Sequence, residues 1–438
     1  MTEDSSLTST YPAILVGLRT DESDDEFQHS MEELASLAEA CDLSVRSTLT
    51  QTLPHPENAT WIGSGKADEL KYLVRGTGAD YAVCLGNLTP NQMKNLQKII
   101  EIEVWDRTRL ILEIFSRRAR TREAKLQVES AYLQYMLPRL SGMWQHLGRQ
   151  SGGGGSRANK GIGEKQIELD RRQISKRLAE LRRELGEIDR TRNVQRSGRL
   201  NNSLINVALV GYTNAGKSSL MNRLLSMCES SSDAASDKKV FEKDMLFATL
   251  DTSIRKIDIP GRRPFLLSDT VGFIEDIPHS LIKAFRSTLS EVKFSDILLI
   301  VMDSADPHHK DHKRVTEEVL RDLDSDSIPR IYVYNKSDLR ENIPRPVSDS
   351  EENAVYISTR TGYGIEELLD KLFELLSHES QSIDVIIPYT DGEIISRIHS
   401  EGVNISEEYE EAGTHISAVV PAPLAGYINS KYTPSESL

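Results

Sequence analysis

Cysteine is almost absent from this chain of 438 residues, with only Cys41, Cys84 and Cys228 present. Three unevenly spread thiols cannot build a disulfide framework or a cysteine-rich zinc site, and they fit a reducing cytosol. Long apolar runs are missing as well. The longest, Ile297 to Met302, has the length of a strand, so no membrane span is expected. The N-terminus carries Asp and Glu where a signal peptide would carry a basic region followed by an apolar one. Hydrophobic residues still make up 38% of the chain, enough for ordinary cores, and the length suggests two or three domains.

Charge is unevenly spread. The chain is net -14, but Met1 to Phe115 is net -10, Ser116 to Leu200 is net +11 and the remainder is net -15. A basic segment between two acidic ones has two readings: a solvated helical hairpin, or a surface for nucleic-acid phosphate. Overall acidity does not decide against the second, because fields are screened beyond ~8–10 Å at physiological salt.

The fold class expected is α/β: a P-loop domain preceded by a small parallel α/β subdomain with a long antiparallel helical hairpin, and followed by a small α+β domain. Residues 1–12 read as disordered. In 13–106, strands at Ala13–Leu18, Asp42–Leu49, Tyr81–Leu85 and Ile102–Val104 alternate with helices at Gln28–Ala40, Lys66–Arg75 and Thr89–Ile100. Residues 107–200 read as the hairpin. One long helix is expected over Arg107 to Gly142, with Leu126, Leu133 and Leu140 seven residues apart. A Gly-rich loop follows over 143–163. From Glu164 a second helix carries Ile167, Ile174, Leu181 and Ile188, with Leu178 and Leu185 completing a heptad seam. Arg192 to Ser203 reads as a polar linker. The P-loop domain spans 204–377, Ser377 to Ser382 reads as a second linker, 383–428 is the closing domain and 429–438 a tail.

The strongest motif is Gly211-Tyr212-Thr213-Asn214-Ala215-Gly216-Lys217-Ser218, which matches G-x-x-x-x-G-K-S. It follows the apolar run Asn206–Val210 and opens a helix that includes Ser219, as a P-loop requires. Its backbone N–H groups and helix N-terminus suit phosphate. Lys217 reaches the β- and γ-phosphates and Ser218 ligates Mg²⁺. Asp269-Thr-Val-Gly272 follows an apolar strand; Asp269 can hold Mg²⁺ through water and the Gly272 amide can meet the γ-phosphate. Asn335-Lys336-Ser337-Asp338 follows another strand. The Asp338 carboxylate can accept from both N1 and N2 of guanine, a donor pair that adenine lacks. Ser358-Thr359-Arg360 would back the base. Ligands collect at the carboxyl ends of strands in such sheets, so order and placement together imply GTP. Thr249, beside Phe247, lies where a switch threonine meets Mg²⁺ and the γ-phosphate, with Thr252 as the competing position. The catalytic candidates are Lys217, Thr249 and Gly272, and the Mg²⁺ ligands are Ser218, Thr249 and Asp269. Phe273 stands where many GTPases place a water-orienting glutamine. A phenyl ring cannot align water, so slow intrinsic turnover and an outside activator are expected. Asn214 occupies a position where some GTPases hold a monovalent cation, which makes K⁺ a candidate second cation.

Several stretches outside the P-loop domain carry a resemblance to the HflX family of ribosome-associated GTPases. They are Trp61-Ile-Gly-Ser-Gly-Lys66, Asp106-Arg-Thr-Arg-Leu-Ile-Leu112, Phe115-Ser-Arg-Arg-Ala-Arg-Thr-Arg-Glu123, Lys125-Leu-Gln-Val-Glu129 with Leu137-Pro-Arg-Leu140, Gly161-Ile-Gly-Glu164 with Asp170-Arg-Arg172, Glu410-Glu-Ala-Gly413 and Pro421-Ala-Pro-Leu-Ala-Gly426. Phe247-Ala-Thr-Leu-Asp251 and Asp269-Thr-Val-Gly-Phe273 also fit that family, and the likeness spans about Ala13 to Tyr427. Trp61 to Lys66 is not a second P-loop, because Thr60 replaces the first glycine. Three departures stand out: Lys160-Gly-Ile-Gly-Glu164 lacks the family's proline, Asp251-Thr-Ser replaces D-P-T, and 226–244 is longer than usual. The resemblance implies a GTP-switched monomer that binds the large ribosomal subunit and its rRNA through the N-terminal region. The hairpin loop would approach the peptidyl-transferase centre, and stalled or idle ribosomes would be split, with hydrolysis stimulated by the ribosome. Arg149, Arg157 and Lys160 are the candidates for RNA phosphate contact. The implied location is cytoplasmic, with peripheral association to ribosome or membrane. The rival reading is an RNA-binding or tRNA-modification-associated GTPase acting away from the ribosome.

Overall fold

The computed structural model describes residues 10–140, 158–200, 204–228, 253–274, 292–347, 353–377 and 380–432. The chain divides into two compact units, the first built mainly from residues up to Thr191 and the second mainly from Arg192 onward.

In the first unit, β1 (Tyr11–Arg19), α1 (Asp24–Glu39), β2 (Leu43–Thr52), α2 (Ser64–Thr77), β3 (Tyr81–Cys84), α3 (Pro90–Ile100) and β4 (Glu103–Asp106) follow in order. The strands form an all-parallel sheet in the order β2-β1-β3-β4. A parallel sheet must be covered on both faces, and β1 reads accordingly as one continuous buried run, 13–18. Ile14, Val16, Ala82, Cys84 and Val104 pack with Leu70 and Val74 of α2 and Leu96 and Ile100 of α3. The helices begin where their sequences supply caps. Ser23 and Glu26 make a capping box on α1, and Thr89 with Gln92 makes one on α3, where Pro90 supplies the first turn.

The expected single helix over Arg107 to Gly142 is instead two. α4 (Arg107–Arg118) ends at Ala119, whose ψ of 108° leaves the helical region, and α5 (Arg122–Met136) starts afresh with the Thr121 hydroxyl accepting from the Ala124 N–H at 3.1 Å. A 3₁₀ turn at Leu137–Arg139 follows, holding Pro138. The second hairpin helix, α6 (Ala158–Leu200), begins six residues before Glu164 and continues through the stretch read as a linker from Arg192. Its seam is visible in burial: Leu178 and Leu181 are buried, whereas Arg171, Arg172 and Arg182 are exposed. Arg122 pairs with Glu184 at 3.0 Å, and Arg177 grips Glu129 with two bonds of 2.7 and 2.9 Å. Advancing along α5 means retreating along α6, so the two helices run antiparallel.

The junction of β4 and α4 is held by Asp106, which is fully buried. One oxygen caps the Arg109 N–H at 2.8 Å and receives the Tyr135 hydroxyl at 3.0 Å; the other meets the Arg139 guanidinium at 3.0 Å. Burial pushes the Asp106 carboxyl up, opposed by these donors and by the Arg139 charge, and it drives the Tyr135 phenol up as well.

In the second unit come β5 (Ile205–Gly211), α7 (Lys217–Ser226), β6 (Ser253–Ile257), β7 (Phe265–Asp269), β8 (Ile297–Asp303), α8 (His309–Asp322), β9 (Arg330–Asn335), β10 (Ala354–Tyr356) and α9 (Ile365–Ser377). The six strands order as β10-β9-β8-β5-β7-β6, parallel except for the β6–β7 hairpin. Val207 and Leu209 face one apolar cluster with Leu220 of α7 and Leu369 of α9, and Ala208 and Val210 face another with Leu320 of α8. This period-2 alternation gives both faces a core. Residues 380–432 add β11 (Ser380–Ile387), α10 (Gly392–Glu401), β12 (Val403–Glu410), β13 (Gly413–Pro421) and α11 (Ala422–Lys431). Their antiparallel sheet, ordered β11-β13-β12, carries Ile383, Val385, Ile416 and Ala418 against Ile398 and Ile428. β11 therefore starts inside the stretch read as a linker over Ser377 to Ser382.

Asp106→Ala would take the acceptor from the buried Tyr135 hydroxyl and the carboxylate from the half-buried Arg139, which would keep only the Leu88 and Tyr135 carbonyls. The expected loss is about 3–5 kcal/mol from the first unit. It would show in urea unfolding as a lowered midpoint for the transition that GDP does not shift, and an unchanged midpoint would mean Asp106 holds little.

Candidate nucleotide site

The sheet brings the motif residues to one end. Gly211 closes β5, Asp269 closes β7, Asn335 closes β9, and Ser358 follows β10. Lys217 opens α7, and its ammonium donates to the carbonyls of Gly211 at 3.0 Å and Tyr212 at 2.8 Å. It is 6% exposed, and burial lowers its pKa to about 8, with the Asp269 charge pulling the other way. A buried ammonium facing two carbonyls is a cation held ready for phosphate.

Gly216 caps α7 at φ 91°, a left-handed conformation, and a Cβ there would sit 2.2 Å from the Asn335 Nδ2. Asn214 also lies at positive φ, 60°, and is exposed. The Ser218 hydroxyl donates to Asp269 at 2.6 Å, and Asp269 is fully buried. Hydroxyl and carboxylate oxygens are the hard ligands that Mg²⁺ prefers, so this pair fits that ion. The backbone after Asp269 lies against the P-loop: the Phe273 N–H donates to the Gly211 carbonyl at 3.0 Å and its carbonyl accepts from the Thr213 N–H at 2.7 Å. Gly272 lies in that approach. A Cβ on it would come within 2.9 Å of Thr213 and 3.0 Å of the Lys217 ammonium. The Phe273 ring is 2% exposed and packs with Val210, Val292 and Met302, away from any position where it could touch water.

Asn335 does something that the motif alone did not reveal. Its amide donates to the Ala215 carbonyl at 3.0 Å and accepts from the Thr359 N–H at 3.1 Å, tying the P-loop to the loop after β10. Asp338 accepts from the Ser358 hydroxyl at 2.6 Å, which fixes one carboxylate oxygen. Ser337 donates through its hydroxyl and N–H to the Ile357 carbonyl at 2.8 and 3.1 Å. Lys336, at φ 59°, pairs with Asp303 at 2.8 Å. Asp303 was not among the sequence candidates; its place as the last residue of β8, beside the other strand ends, was the available signal. Tyr212 stacks on His312 at 3.8 Å, and no motif pointed to that. Ala215 is buried, Ser219 and Thr359 are half-buried, and Arg360 is exposed. Arg149, Arg157, Phe247 and Thr249 lie outside the described residues, as does the side chain of Lys160, whose backbone belongs to α6.

Sheet, P-loop and strand-end residues together define a P-loop GTPase. Models of three families match in succession: GTP-binding GTPase N-terminal over 28–116, GTP-binding GTPase Middle Region over 118–199, and 50S ribosome-binding GTPase over 206–336. A GTPase HflX from Caldanaerobacter subterraneus subsp. tengcongensis is 40% identical over 412 residues, covering 94% of this chain and 91% of its own. The GTPase HflX of Escherichia coli strain K12 is 36% identical, covering 92% of each. Among solved structures, a GTP-binding protein from Sulfolobus solfataricus in complex with GDP is 25% identical over 84% of this chain and 99% of that one, at a TM-score of 0.41. The chain belongs to the GTPase HflX family and is a GTP hydrolase.

Two substitutions separate scaffold from base reading. Asn335→Ala removes two buried hydrogen bonds of about 1 kcal/mol each, and should weaken GDP and xanthosine diphosphate alike by roughly 10–100-fold. Asp338→Asn should instead shift preference from guanine toward xanthine. Titration calorimetry with both nucleotides reads the difference, and unchanged guanine selectivity in Asp338→Asn would show that this carboxylate does not read the base.

Proposed function

We propose that this GTPase binds the large ribosomal subunit in its GTP state, dissociates stalled or idle ribosomes, and is released after ribosome-stimulated hydrolysis. The observation that carries this reading is the antiparallel hairpin of α5 and α6, whose seam is apolar and whose exposed positions are rich in arginine and lysine, in the segment of net +11. Such a surface suits rRNA phosphate. The matched description "50S ribosome-binding GTPase" and the HflX relatives support it.

In this reading the P-loop amides and Lys217 hold the phosphates of GTP, with Gly211 to Ser219 wrapping them. Asp338 reads guanine, while Asn335, Lys336, Ser358, Thr359 and Arg360 shape and back the base pocket. Phe247 flanks the nucleotide beside the switch threonine. Mg²⁺, held by Ser218, Thr249 and Asp269, would neutralise charge on the β- and γ-phosphates. Thr249 and the Gly272 amide meet the γ-phosphate, so both segments order with GTP and relax with GDP. Phe273 lies in the core and aligns no water, so the chain alone turns over slowly and the ribosome supplies what is missing. Asn214, exposed at positive φ, is the place for K⁺ beside the phosphates.

Cosedimentation with purified large subunits tests the central claim. Binding should be strong with a non-hydrolysable GTP analogue and at least tenfold weaker with GDP; equal binding to both, or none, would sink it. For the second cation, GTPase rates in K⁺ should exceed those in Na⁺ at equal ionic strength, and equal rates would remove K⁺ from the site.

A further inference from the structure

The first unit contains a cavity of about 390 Å³ that the GTP site does not use, walled by α3, β4, α4 and α5. That volume lies within the range of small-ligand pockets. Its lining pairs three rings, Trp105, Tyr132 and Tyr135, with three cations, Lys94, Arg109 and Arg139. The guanidinium of Arg109 lies 4.6 Å from the Tyr132 ring centroid and 5.5 Å from that of Trp105. The guanidinium of Arg139 lies 3.7 Å over Tyr135 and is fixed there by Asp106 and by the Leu88 and Tyr135 carbonyls. The Nη1 of Arg109 is buried and has no hydrogen-bond partner among the described residues. Its Nη2 lies 3.8 Å from Glu113, which holds the guanidinium plane beside the Trp105 and Tyr132 rings.

We infer that this cavity takes one unpaired nucleotide of single-stranded RNA, its base stacked on the Tyr132–Arg109 face and its phosphate at Lys94. Bases stack on aromatic rings and on arginine planes whatever their sequence, and base nitrogens and carbonyl oxygens supply acceptors. Gln97 on the rim offers both a donor and an acceptor to a base edge. A free nucleoside triphosphate suits the cavity poorly. No glycine lines it to bring backbone N–H groups onto phosphate, Arg139 is committed to Asp106, and the Glu103 carboxylate sits on the wall. A phosphodiester carries one negative charge, and Lys94 answers one. α5, which supplies Tyr132, is also the first arm of the basic hairpin that would draw RNA in. The inference rests on the RNA-binding reading proposed above.

The test uses the full chain with GDP and a fluorescein-labelled pentaadenylate, compared by anisotropy with an all-abasic pentamer of equal charge. The wild type should bind the adenylate at least tenfold more tightly. Tyr132→Ala should bring the adenylate down to the abasic level and Tyr132→Phe should restore it. Lys94→Gln, at a half-buried surface position, should weaken both oligomers and lower the salt slope by about one. Equal wild-type affinity for the two oligomers overturns the inference and needs no variant. So does an unchanged ratio in Tyr132→Ala, which would leave the stack purely structural. AMP competing as well as the pentamer, molecule for molecule, would overturn the RNA occupant in favour of a free nucleotide. Large-subunit cosedimentation is read in parallel. Base discrimination without cosedimentation would sink the ribosome reading alone, and cosedimentation without base discrimination would sink the pocket alone.

Discussion

The nucleotide site depends on three loops being brought to contact distance at the carboxyl ends of parallel strands. The contact is made by one side chain, Asn335, whose amide joins Ala215 of the P-loop to Thr359 of the base loop. It is possible only because Gly216 leaves the space that a Cβ would take from that amide. Beside this tie, Lys217 is held by the Gly211 and Tyr212 carbonyls and Asp338 by the Ser358 hydroxyl. Each buried bond is worth about 1 kcal/mol, so their role is to hold geometry more than to add stability. A site that works by electrostatic preorganisation needs its donors in place before the phosphates arrive.

The same logic explains what could be read in advance. The P-loop and its companions were legible because phosphate and guanine dictate residue types at fixed spacings, and a strand must precede each. The parallel sheet of the first unit was legible because a strand buried on both faces reads as a continuous apolar run. The break between α4 and α5 was not. Ala119, Arg120 and Thr121 contain neither glycine nor proline, and arginine and alanine favour helix. What ends α4 there is tertiary: Thr121 caps a second helix that lays Tyr135 onto Asp106. The length of α6 was missed for a related reason, because polarity marks exposure and does not forbid helix. Asn335 was read as a nucleotide contact, and its tie between loops needs coordinates to see. Asp303 was overlooked because a single acid at a strand end carries no spacing signal.

Charge and hydrophobicity divide the work along the chain. The hairpin seam, with Leu178 and Leu181, is small for a coiled arm, and the flanking pairs Arg177–Glu129 and Arg122–Glu184 are partly exposed. Exposed pairs of this kind contribute about 0–1 kcal/mol; their value lies in fixing antiparallel register. Exposed arginines such as Arg171, Arg172 and Arg182 are the ones that would meet a polyanion in the proposed reading. The segments on either side are net -10 and -15, and like-charge repulsion disfavours RNA wrapping over them. In the reading proposed above, this favours contact through the hairpin and the cationic side chains near its base.

Phe273 connects this division to turnover. A water-aligning side chain in a GTPase must reach the γ-phosphate from the residue after the switch glycine or from elsewhere. Here that residue is locked twice, by its ring among Val210, Val292 and Met302 and by backbone bonds to Gly211 and Thr213. Swinging the ring toward the phosphates would expose a phenyl group, at a cost of about 1.5–3 kcal/mol. A glutamine would gain by leaving that core; a phenylalanine loses. The local energetics therefore hold the Phe273 ring in the core, away from the phosphates. In the reading proposed above, the group that aligns the water is supplied by the surface on which the GTP state is assembled.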